Sequence, residues 1–191
     1  MEVKINVKNV HLAEITKSPE GVITYSVPEH VVGAMQIGRN PQIASGQLYG
    51  DGKVTHETSK KVKYELTVEL NKLPTKWRRY MEGVTAVAGV ESGTSADQPK
   101  PFAIGWEVEK TGGEKELIWF LYCMANPIQV NIRQSEDNIT YSTDNLTISA
   151  LEDDSLDKFY TLIDSEDADI TAKMLTDFFK IVQISDTIAV A

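Results

Sequence analysis

The residues able to do chemistry are few and scattered. The three histidines, His11, His30 and His56, form no local pair at metal-ligand spacing, and no His-Glu-x-x-His run exists. Asp153-x-Ser155-x-Asp157 opens like a calcium loop, but its sixth position is Lys158, where the turn needs glycine. Its twelfth position is Asp164, a shorter side chain than the bidentate glutamate of such loops, so the stretch reads as acidic loop decoration. Gly50-Asp51-Gly52-Lys53 has the flavour of a phosphate-binding loop. Counting back from Gly52 meets Gln47 where glycine is required, and Val54 stands where a hydroxyl residue would hold the metal, so the match fails.

No Gly-x-Ser-x-Gly elbow is present. Trp77-Arg78-Arg79-Tyr80 mixes aromatic and basic groups as single-strand binders do; inside a short helix it reads more simply as a helix with its aromatics buried. Cys123 lies in the apolar run 117–124 and reads as a small buried hydrophobe, and one cysteine allows no internal disulfide. The expectation is a non-enzymatic protein with no catalytic residue, no metal site and no cofactor.

The elements behind these residues are mostly strands. Residues 61–70 alternate strictly: Val62, Tyr64, Leu66, Val68 and Leu70 share one face, and Lys61, Lys63, Glu65, Thr67 and Glu69 the other. This predicts a half-buried, antiparallel core strand. Residues 3–8 alternate likewise. Further strands are expected over 10–15, 22–27, 31–37, 102–108, 116–124, 139–142, 146–150 and 159–163. Thr111-Gly112-Gly113 makes a β-hairpin of 102–124. Many short strands with glycine-rich turns imply a sandwich or barrel. Helices are expected over 75–82, after Pro74 and before Gly83, and over 171–182, where Met174, Leu175, Phe178, Phe179 and Val182 form one stripe.

Two long loops are predicted, 39–59 and 89–100. The first holds Pro41, Gly46, Gly50 and Gly52 with little periodicity, yet carries Ile43, Leu48, Tyr49 and Val54. A solvated loop has little reason to keep such side chains. The loop is therefore expected to be mobile in the free protomer and ordered against a neighbouring subunit, with Ile43, Leu48, Tyr49, Asp51 and Val54 as assembly residues.

With 191 residues the chain fits a single domain with an ordinary core. A net charge of -9 disfavours general nucleic-acid binding. The charge is uneven: segment 53–79 carries eight Lys or Arg against three Glu, and segment 152–169 carries eight Asp or Glu against Lys158. These are either solvated faces that differ or complementary patches that meet between subunits. The start lacks the apolar core of a signal peptide, and no run approaches the ~20 apolar residues of a membrane span, so a cytoplasmic origin without membrane contact is expected.

Several stretches taken together resemble a known family: residues 7–13 (Val-Lys-Asn-Val-His-Leu-Ala), Gly33-Ala34-Met35, Gln47-Leu48-Tyr49-Gly50-Asp51-Gly52, Pro101-Phe102-Ala103-Ile104-Gly105-Trp106, and residues 116–122, followed by the acidic segment and Phe178-Phe179. In order and spacing over residues 3–182 they resemble the phi13-type major tail proteins of long-tailed, non-contractile phages. At 123–126, Cys-Met-Ala-Asn stands where that family has a basic, glycine-containing stretch.

The resemblance implies a mostly β fold, a β-sandwich or barrel of tail-tube type with one or two short flanking α-helices. Six copies would form a ring, the rings would stack into a tube around a tape-measure protein, and DNA would pass through without specific binding. Tail terminator and distal tail proteins would be the partners at the ends; the protein would reside in the virion tail and, during assembly, in the host cytoplasm. The rivals are another tail component of the same fold, an acidic hydrolase with a non-local carboxylate pair, and a nucleic-acid binder built on segment 53–79.

Overall fold

The structure, a computed structural model, describes residues 2–130, 132, 142–153, 155–185 and 188. The expected strand 139–142 lies outside them except for Ser142, which is not in a strand.

Alternation builds most of the chain. In β1 (Lys4–Lys17) the expected strands 3–8 and 10–15 merge across a bulge at Asn9, which adopts φ 54. The expected strand 22–27 is the short β2 (Ile23–Tyr25). The expected strand 31–37 is split: β3 (Glu29–Val31) ends before Gly33, whose φ of 98 turns the chain into β4 (Ala34–Gly50). β4 pairs along its whole length with β5 (Lys53–Leu70). After α1 (Thr75–Glu82) comes a minimal hairpin, β6 (Ala86–Val87) and β7 (Val90–Glu91), which takes up the start of the expected loop 89–100. Then follow β8 (Phe102–Lys110), β9 (Lys115–Ala125), β10 (Asp144–Ala150), β11 (Tyr160–Asp164) and α2 (Ala172–Asp177). The 102–124 hairpin is present, with Gly112 and Gly113 both at φ 91 in its turn.

All strand pairs are antiparallel, and the main sheet runs β2-β1-β8-β9-β10-β5-β4. One edge of β9 is shared: β11 takes its first half and β10 only its last three residues. There the sheet folds over. Tyr64 of β5 meets the rings of Phe120 (5.5 Å) and Tyr160 (5.7 Å), on strands that are not its neighbours. Leu66, Val68, Leu146 and Ile148 thus share one core with Val10, Leu12, Phe102, Ile104, Trp106 and Phe120. The fold is mostly β and consistent with a β-sandwich. Among the described residues no helix is long and apolar enough to cross a membrane.

Both helices pack on this frame. α1 buries Trp77 and Met81 and ends at Gly83 (φ 73), packed so closely on the Gln98 backbone that no β-carbon fits. α2, expected over 171–182, spans only 172–177. The Thr171 hydroxyl caps it by accepting from Met174 N–H (3.3 Å), and the chain turns at Asp177, whose carboxylate pairs with Lys180 at 2.7 Å. The expected stripe still packs: Phe178 and Val182 are buried in a second core with Ala103, Leu117, Trp119 and Leu121, on the far side of the β8–β9 layer.

The core strand behaves as expected at four of its five positions. Tyr64, Leu66, Val68 and Leu70 are at most 5% exposed. Val62 is 52% exposed and does not belong to the core. The register skips it, since Gln42 pairs with Lys63 and Ile43 with Lys61, so Val62 sits in a bulge where β5 leaves the body.

Candidate assembly interface

The expected loop 39–59 is not a loop. It is the outer part of the β4–β5 hairpin, in register from Ile43↔Lys61 to Gly50↔Lys53. Asp51 (φ 53) and Gly52 (φ 75) close it with positive φ at both central positions, as a two-residue hairpin turn requires. The glycines and Pro41 suggested irregular chain, but a ribbon wet on both faces shows no hydrophobic alternation, and that alternation is the signal by which strands are read.

From Ile43 to the turn the ribbon reaches roughly 25 Å at about 3.4 Å per residue. Every residue from Gly46 to Tyr49 and from Asp51 to Val62 is exposed. The outer edge of β4 carries no strand among the described residues, and neither does β5 before Tyr64. A two-stranded ribbon on its own is marginally stable in water. This arm nevertheless exposes Ile43 (60%), Leu48 (64%), Tyr49 (64%) and Val54 (48%). Cross-strand partners share a face. Ile43, Tyr49 and Val54 therefore lie on one face and Leu48 on the other, because Tyr49 pairs with Val54 and Leu48 with His56 across a register shift. Asp51 shapes the tip.

The arm's polar groups mostly bond to one another. Tyr49 donates its hydroxyl to Gln47 Oε1 (2.9 Å), and Gln47 Nε2 donates to Glu57 (3.3 Å). Lys53, Lys60 and Lys61 have no ion-pair partner among the described residues; on the body Lys72 and Lys100 are likewise without one, whereas Lys4, Lys8, Lys17, Lys76, Lys110 and Lys115 are paired.

Two surfaces on the body lie beside free strand edges. A slot of about 460 Å³ separates the first residues of β1 from β4, with Trp106, Val108 and Ile118 at its floor and Lys4 and Arg39 at its rim. A groove of about 480 Å³ runs along β11, lined by Leu162, Ile170 and Met174 and by one charge of each sign, Lys158 and Asp169.

The other sequence candidates are occupied by structural roles. His11 and His30 are cross-strand partners with ring centroids 5.0 Å apart, a pairing that only the β1–β3 register reveals. His11 also stacks on Phe179 at 4.6 Å; burial lowers its pKa, partly opposed by its bond to the Asn9 carbonyl. His56 lies on the arm and meets Thr58. Asp153 accepts from Lys17 (2.7 Å) and from the Ser155 hydroxyl (2.6 Å), so its carboxylate is held to about 2 by these bonds rather than by a cation loop.

In α1, Trp77 is buried and donates to Glu29 (3.0 Å), while Arg78 and Arg79 both bind Glu91. Cys123 is fully buried, and burial pushes its thiol up. Glu107 is buried on β8. Burial alone would raise its pKa, but Asn9 (2.6 Å) and Lys115 (3.0 Å) bring it below the usual range. Among the described residues no group of three or more His, Cys, Asp or Glu is placed to hold a metal ion. No protein-family model matches the chain, and no curated protein matches it in sequence.

Proposed function

We propose that this chain is a non-enzymatic structural protein that assembles with copies of itself, and specifically a tail-tube protein of the phi13-type kind. Six copies form a ring, and rings stack around a tape-measure protein between a distal tail protein and a terminator. The tube resides in the virion tail after assembly in the host cytoplasm and conducts DNA without binding it specifically. No metal or cofactor takes part. The observation that supports this reading is the arm: a long ribbon that no other described residues cover, with four exposed apolar side chains. Such a surface gains by burial against a partner, at roughly 25 cal/mol per Å² of apolar area.

The test is to excise residues 44–60 and join Ile43 to Lys61 through an Asn-Gly turn, which keeps the ladder of the body. Melting should be nearly unchanged and tube formation lost. If the arm instead served its own core, melting would fall sharply. Tubes of normal length from the excised chain would end the reading.

A further inference from the structure

We propose that the arm of one copy docks into the groove beside β11 of a second copy. The inference rests on the self-assembly reading above and names the surface that receives the arm.

Three features of the groove fit the arm. First, β11 is hydrogen-bonded along one edge only, to β9, and its other edge carries no strand among the described residues. The arm has free edges of its own, so the two can extend one sheet by main-chain pairing. Second, Leu162, Ile170 and Met174 give the groove an apolar lining to receive Ile43, Tyr49 and Val54, and the Thr161 hydroxyl is buried there without a hydrogen-bond partner. A donor or acceptor from an incoming strand would satisfy it.

Third, the charges are complementary. Of the acidic residues at and just after the end of β11, Asp164 and Glu166 are already bound to Lys110, which leaves Asp169 in the groove lining and Asp167 two residues before it, both exposed and without an ion-pair partner among the described residues. The arm supplies the matching unpaired cations, Lys53, Lys60 and Lys61. The slot between β1 and β4 is the competing acceptor, but its one carboxylate, Glu116, is already paired with Lys4, so its rim offers the arm's lysines no open anion and adds Arg39.

The experiment exchanges the charges in the full-length chain. One variant carries Lys53→Glu, Lys60→Glu and Lys61→Glu; the other carries Asp167→Lys and Asp169→Lys. Among the described residues none of these side chains holds an ion pair in the body, and circular-dichroism melts identify any variant that misfolds. Assembly is followed by sedimentation and negative-stain microscopy.

Each variant alone should need roughly tenfold or more protein to assemble, because like charges then face each other. An equimolar mixture should assemble near the wild-type concentration, because each arm again meets an opposite rim. A chain carrying both sets should also recover. Recovery in either form supports the docking. Unimpaired assembly by the single variants, or a failure of both mixture and combined chain to recover while the wild type assembles, would overturn it and leave self-assembly intact. A wild type that stays monomeric at every concentration would instead refute the assembly reading and this inference with it.

Discussion

Strand β5 crosses from core to solvent within four residues, and paired substitutions measure that crossing. Leu66 is fully buried between the layers, where Ile148 is its neighbour across the β10 ladder. Leu66→Ala removes the side chain from a site with no route to collapse and should cost about 2–5 kcal/mol. For a chain of this length about 1 kcal/mol lowers Tm by roughly 2–4 °C, so a drop of about 4–20 °C is expected. Val62, four residues earlier and half exposed in the bulge, should lose no more than about 0.5 kcal/mol on Val62→Ala. The assay is thermal melting by circular dichroism on dilute protein, so that subunit contacts do not contribute. Leu66→Asp places a charge in the core at several kcal/mol, against a total of about 5–15, and should leave no cooperative transition. A soluble, cooperatively melting Leu66→Asp chain, or a Val62→Ala chain that melts as low as Leu66→Ala, would refute the register on which the arm's boundary rests.

Three further outcomes follow from the geometry. Gly105→Ala should destabilise strongly, because a β-carbon there would lie 2.6 Å from Cδ2 of the fully buried Trp119 and 2.9 Å from the Ile118 carbonyl; a melt within a few degrees of wild type would show that β8 and β9 can separate. Asp153 has a folded-state pKa of about 2 against an ordinary 3.8, so the stability it contributes is complete above about 4 and is lost as pH falls toward 2. Asp153→Asn should therefore melt below wild type at neutral pH, with the gap closing through that window; a pH-independent gap would point to packing instead of the Lys17 pair. Duplex DNA should show no measurable affinity for the assembled protein at physiological salt, given -9 per chain, and a salt-sensitive gel shift at micromolar protein would contradict this.

Much of the frame was legible because strands such as β5 bury one face and wet the other, while β8 and β9, buried on both faces, read as apolar runs closed by a turn. Tyr64, Leu66, Val68 and Leu70 advertise themselves by alternation, and the 102–124 hairpin by its glycine turn. The arm was illegible for the opposite reason. With both faces in water, residues 43–61 have no pattern to display, and the one local signal was Asp51-Gly52, a strong hairpin turn read only as a failed phosphate loop. Val62 fits the alternation and still lies outside the core, because a bulge is invisible without the partner strand. The His11–His30 contact and the groove beside β11 join segments far apart in sequence, and single-sequence periodicity carries no information on such neighbours. The exposed apolar side chains of the arm, in contrast, were singled out by an argument that needs no secondary structure: Ile43, Leu48, Tyr49 and Val54 are costly to leave in water, and they are exposed.

Free strand edges are the common thread. Soluble proteins blunt such edges with short strands, bulges, inward charges or a covering element, since open edges pair indiscriminately. Here β4 runs for 17 residues with no strand on its outer edge among the described residues, and the same holds for the outer edge of β11. On the proposed reading, ring closure by copies of the same chain would remove both liabilities at once and favour ordered assembly over adventitious pairing. The outward face of β10–β5–β4 fits the same reading. Its cross-strand rows are Gln36, Glu69 and Asn145; Gly38, Thr67 and Thr147; Asn40, Glu65 and Ser149. No apolar side chain stands in these rows. The lysine beside them, Lys63, is engaged with the Ser149 hydroxyl at 3.3 Å. A wall of amides, hydroxyls and carboxylates is well wetted and offers a polyanion no cluster of cations at which to release counterions. On the tube reading this is the face that belongs toward passing DNA, because its cross-strand rows offer neither an apolar partner surface nor a cation to hold a phosphate.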